Sequence, residues 1–121
     1  MILENVEMDK THFAKDIEAE VTFISPENGG RKKQIFCGYR PTFIYDNHAW
    51  DASLWFDGDE FHAQGEPVKV FFEFASPASH IGKLVIGKTF ELHDGRLIAI
   101  GRVSQIVDLE DSAKKVLAKK D

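Results

Sequence analysis

A chain of 121 residues is sized for one domain with a single core. Its 43% hydrophobic content excludes wholesale disorder. A formal net charge of −5 excludes a protein that grips nucleic acid with its whole surface, so any such site must be a local patch on an acidic background. Met1 to Thr11 shows no clean period and reads as a tail or a first partial strand, with residues 1–12 taken as the N-terminal tail. Glu4 and Glu7 stand where a signal peptide needs bases, and no run approaches the length of a membrane span. From Asp16 to Ile24 the chain alternates, with Ile17, Ala19, Val21 and Phe23 on one side and acids and threonine on the other, which predicts a half-buried strand. Ser25 to Gly30 is dense in turn residues, and Gly29-Gly30 can take the positive φ that tight turns require.

Ile35-Phe36 reads as a short buried run. Gly38 interrupts it, as a bulge or a close backbone approach would, and Pro41 marks an edge or a strand start. Phe43-Ile44-Tyr45 resumes an extended composition, and Asp46-Asn47-His48 is a turn. A further strand alternates through Trp50, Ala52, Leu54 and Phe56, and Asp57 to Glu60 closes it. Val68, Val70, Phe72 and Phe74 point inward from the clearest strand, and Ser76 to His80 is a loop. Lys88–His93 and Leu97–Val107 form a hairpin around Asp94-Gly95. Residues 110–121 are rich in helix formers, with Asp111 or Ser112 as cap. The apolar face is so small that a frayed helical tail is expected. About six strands at short spacing, together with ten phenylalanines, predict an all-β barrel or sandwich over residues 13–109.

Two blocks of this sequence carry a resemblance. Gly29-Gly30-Arg31, four residues, then Phe36, Gly38-Tyr39-Arg40-Pro41 and Phe43 resemble the third, C-terminal barrel domain of elongation factor Tu. Phe90 to Arg96, followed by Gly101-Arg102-Val103, is similar to that family's last hairpin with one turn residue fewer. The resemblance runs from about Phe13 to Leu109. It implies a closed six-stranded antiparallel barrel. It also implies that Arg31, with Lys32 beside it, and the Asp94-Gly95 turn contact the backbone of tRNA. Thr42 stands where the family has a contacting Gln, Asp51 where it has Thr, and Ser76 where it has a basic residue. The family's domain also packs against its GTPase domain and against elongation factor Ts, which implies a protein-binding alternative.

Catalysis has little to stand on. There is no G-x-x-x-x-G-K-[ST], and the family's GTPase activity lies in a domain outside this sequence. His12, His48, His62, His80 and His93 show no metal-binding spacing, the serines lie in no nucleophile elbow, and the single Cys37 reads as a buried, inert thiol. No catalytic residue, metal or cofactor is expected. Arg31-Lys32-Lys33 either grips phosphates or is a solvated turn. Trp50 and Trp55 fall on opposite faces of one strand. Trp55 outward, with Phe71 on the outer face of its own strand, makes a candidate anchor for a protein partner, unless loops cover it. The expectation is a cytoplasmic, non-catalytic binding module that takes tRNA or another RNA. The alternative is a barrel that binds a translation factor or other protein as decoy, regulator or immunity-type protein.

Overall fold

The computed structural model describes residues 13–119; the tail assigned to residues 1–12, with His12, lies outside the described residues. Strand β1 is Ile17–Phe23, and its predicted inward residues Ile17, Ala19, Val21 and Phe23 are all buried. A 3-10 turn at Pro26–Asn28 follows and ends on Gly29 at φ 94°. Gly30 is needed for a different reason: a Cβ there would lie 1.7 Å from the Ile24 carbonyl oxygen. Strand β2, Ile35–Phe36, pairs with β5, Glu60–Phe61, as a small separate sheet. Strand β3, Thr42–Tyr45, starts directly after Pro41 and turns into β4, His48–Trp55, through Asp46 and Asn47. Both turn residues have positive φ, the two-residue geometry whose twist matches that of paired strands. Strands β6 (Pro67–Phe74), β7 (Thr89–His93) and β8 (Leu97–Ile106) complete the set.

Six of the strands close into an antiparallel barrel in the order β1-β6-β4-β3-β7-β8, with β8 returning to β1. The chain is therefore all-β with one short C-terminal helix, as its alternation predicts. The core explains the phenylalanine content. Phe43 stacks on Phe90 at 4.2 Å between centroids and meets Phe72 and Phe74 edge-on at 5.1 and 5.0 Å. Such pairs add about 0.5–1.5 kcal/mol each beyond the area they bury. Packing this dense leaves no room at Gly101, where a Cβ would lie 2.3 Å from the Phe90 ring.

The helix departs from the frayed tail expected of it. Helix α1 spans Leu109–Lys119, and Leu109 and Ala113 are buried. Asp108, just before it, exchanges backbone and side-chain hydrogen bonds with Lys15. Ser112, considered as a cap, lies inside the helix and donates to Asp16. Asp16 is itself fully buried, and its other oxygen accepts the Phe74 N–H at 2.8 Å. Alternation had placed Asp16 on the wet face; the docking helix covers it, and burial raises its pKa from the usual carboxylate value. The loop Pro77–His80 is likewise more ordered than expected. It forms a 3-10 turn that buries His80 against Phe74 and Trp50, with Nδ1 2.6 Å from the Tyr45 hydroxyl.

Two predictions follow from this packing. Gly101→Ala should cost about 1–3 kcal/mol of stability, read as a lowered midpoint in urea unfolding. Burial pushes the His80 imidazole down to about 4 from an ordinary 6.5. The folded chain then binds fewer protons than the unfolded one between these values, so this contribution to stability is lost as pH falls through them, to the extent of roughly 3 kcal/mol. Asp16 acts with the opposite sign, because the folded chain holds its proton more tightly. Subtracting the stability profile of His80→Asn from that of the wild type isolates the histidine and should show the loss between pH 6.5 and 4.

Candidate nucleic-acid interface

The turn after β1 and the turn between β7 and β8 meet at one end of the barrel. The β1–β8 ladder continues past β1 through Ile24, whose N–H donates to the Ile98 carbonyl at 2.9 Å. Arg96 then donates to the Gly30 carbonyl at 3.1 Å, which ties the two turns together. Arg31, Lys32, Lys33, Asp94, Arg96 and Ile98 line a shallow concavity of about 220 Å³ between them. Four cations and one carboxylate give this spot a local charge of +3 on a chain whose net charge is −5.

Arg31 is less free than a phosphate-gripping side chain would be. Its Nε donates to the Gln34 carbonyl at 3.2 Å and Nη1 to Asp94 Oδ2 at 3.3 Å. Its guanidinium carbon stands 4.4 Å from the centroid of the Tyr39 ring. Tyr39 donates its hydroxyl to the same Asp94 oxygen at 2.5 Å. Burial and that carboxylate raise the tyrosine's pKa, so the phenol keeps its proton and remains a donor. The side chain of Arg31 is only 18% exposed, against 50% for Asp94. Lys32, Lys33 and Arg96 are exposed. Gly95 takes φ 73°, which lets the hairpin turn tightly, and open space lies where a Cβ would stand.

The structure thus gathers Arg31, Lys32, Asp94 and Gly95 at one place, while Thr42 stands apart. Thr42 pairs with His93, next to Asp94, but opens onto a different hollow shared with Trp50, Asp51 and Ser76. Sequence reasoning missed Arg96 and Ile98, which line the concavity, and misplaced Phe36 nearby. Arg96 carries the contact between turns and is an ordinary hairpin residue by pattern. Phe36, read as buried, is 44% exposed, with its ring centroid 6.0 Å from the Arg31 guanidinium. No model of a known protein family matches this chain. Among the described residues no group of three or more His, Cys, Asp or Glu side chains could hold a metal ion, and no helix is long and apolar enough to cross a membrane.

The proposed protein-binding pair needs a correction. Trp55 does lie on the outer face, and Phe71 is its cross-strand neighbour. Yet Trp55 is only 6% exposed, because Phe13 stacks on its ring at 3.5 Å and Gly38 packs close to it. The Nζ of Lys15 stands 4.5 Å from the Phe71 ring, which is half-buried. The segment leading into β1 therefore covers both aromatics. Gly38 is the close backbone approach that its break in the pattern suggested, since a Cβ would meet Trp55 Cη2 at 3.3 Å.

The same geometry separates the roles of the neighbouring cations. Arg31→Ala should destabilise the fold by about 1–2 kcal/mol, because it strips a partner from Asp94 and uncovers Tyr39. Lys32→Ala should stay within about 0.5 kcal/mol of the wild type. Urea unfolding of the two variants measures both.

Proposed function

We propose that this protein is a non-catalytic RNA-binding module that meets the phosphate backbone of tRNA or another RNA at the joined turns. The observation that carries this reading is the concentration of Arg31, Lys32, Lys33 and Arg96 around one concavity on an acidic chain. A solvated turn would need no such convergence from a second, distant hairpin. Phosphate contacts of this kind supply affinity without reading sequence. The likeness of the Gly29-Gly30-Arg31 and Asp94-Gly95 turns to the tRNA-contacting domain of elongation factor Tu supports the same direction. In this reading Lys32 and Lys33 hold phosphate, Arg31 and Asp94 shape the surface, and Gly95 keeps the turn low. Such a module works in the cytoplasm and needs no cofactor.

A second reading, a protein-interaction barrel, has support away from the covered Trp55 and Phe71. Ile81, Val85 and Ile86 are exposed after the 3-10 turn, and Ile86 is 68% accessible. A salt titration of tRNA binding, followed by fluorescence anisotropy, tests the first reading. Binding should weaken linearly in log–log form. The double variant Lys32→Ala/Lys33→Ala should flatten the slope by roughly 0.7–0.9 per lysine. An unchanged slope would remove the proposed site. A protein partner that survives RNase in a pull-down and is lost in Ile86→Asp would move the function to the other face.

A further inference from the structure

We infer that the basic site takes unpaired RNA, with one base stacked on Phe36 while Lys32 and Lys33 hold the adjoining phosphates. This rests on the RNA-binding reading above and goes beyond it in naming the form of the ligand. Phe36 closes the two-residue strand β2, yet its ring faces solvent. A lone exposed apolar side chain is ordinary. This one differs in how it is supported. Tyr39 lies behind it, with centroids 5.3 Å apart, and Tyr39 is itself buried and fixed by its hydrogen bond to Asp94. The Arg31 guanidinium lies against both rings, closer to Tyr39. The platform is thus held by the same side chains that shape the cationic concavity.

Charge fixes the direction in which a strand could lie. Glu60 pairs directly opposite Phe36, so its carboxylate shares that face of the small sheet. Glu60 therefore flanks the ring across the strand pair, and the Arg31 guanidinium stands 6.0 Å from its centroid. A phosphate backbone is repelled from the Glu60 side and drawn along Lys32, Lys33 and Arg96, which leaves a base free to turn onto Phe36. A-form duplex offers no such face, because its bases are stacked inside and only backbone and groove edges are presented. Aromatic rings beside a cationic track are the general means of holding single strands.

Anisotropy of one labelled RNA sequence, single-stranded and then annealed to its complement, tests this. The wild type should prefer the single strand. Phe36→Leu should weaken single-strand binding roughly tenfold and leave duplex binding unchanged. Phe36→Trp should restore or exceed wild-type binding, and equal melting temperatures for the variants would show that the fold is kept. If Phe36→Leu binds the single strand as the wild type does, while Lys32→Ala/Lys33→Ala weakens it, stacking is overturned and the phosphate site stands. If the wild type binds neither form, both readings fall together.

Discussion

Closure of the barrel by β1 is the constraint on which the rest depends. This strand pairs with β6 on one side and with β8 on the other. Its four inward side chains are almost entirely buried, so a slip of one residue would turn Ile17, Ala19, Val21 and Phe23 to solvent and seat Glu18 and Glu20 in the core. That penalty fixes the register, and the register fixes where the chain leaves β1. It leaves beside the start of β8, and the turn of Gly29 and Gly30 is delivered to the β7–β8 hairpin. The basic concavity is a consequence of closing the sheet, since neither turn alone carries enough charge or enclosure to be a site.

Within the concavity, charge is divided between groups that hold the shape and groups that can give charge to a ligand. Arg31 occupies the first role. Its fork is committed to a carbonyl and a carboxylate, and its guanidinium carbon stands over the Tyr39 ring. Asp94 receives both Arg31 and Tyr39, so it neutralises a cation that would otherwise be half-desolvated and unpaired. A carboxylate among these cations lowers the local positive charge. Here it stiffens two turns that are far apart in sequence. A stiff site loses less conformational freedom when a ligand binds. Lys32 and Lys33, exposed beside it, supply charge without being needed by the fold.

The barrel was largely legible in the sequence because its strands alternate. β1 and β6 read correctly residue by residue, since each has one wet and one dry face and period two is the direct signature of that. The hairpin turns were legible from Asp46-Asn47 and Asp94-Gly95, whose backbone preferences are local. What alternation could not give was anything decided by a distant segment. Asp16 looked like the wet end of β1 until Ser112 and helix α1 came down on it. His80 looked like a loop residue, although Tyr45, Trp50 and Phe74 surround it from three strands. At the concavity, Arg31, Lys32 and Asp94 were legible as candidates, with Gly95 in the adjoining turn and Thr42 on another hollow. The use of Arg31 as a brace and the part played by Arg96 were not, because both depend on which turns meet.

Two aromatics, Trp55 and Phe36, show the same limit most clearly. Parity placed Trp55 on the outer face of β4, and that is where it lies. Parity says which side of a sheet a side chain takes, not whether another segment lies over that side. Phe13 and Gly38 enclose the ring, and its indole nitrogen finds no hydrogen-bond partner among the described residues. Phe36 had the opposite fate. It belongs to a strand of two residues paired with another of two, too small a sheet to have anything packed on both faces. Ile35 takes the inner face, and the ring next to it is left in water. The Phe36 ring lies against a buried tyrosine, with Glu60 across the strand pair and the Arg31 guanidinium near it, and it keeps the exposure that the covered Trp55 lacks. The exposed Phe36 ring therefore lies near the basic concavity at the joined turns, through the Arg31 that both share.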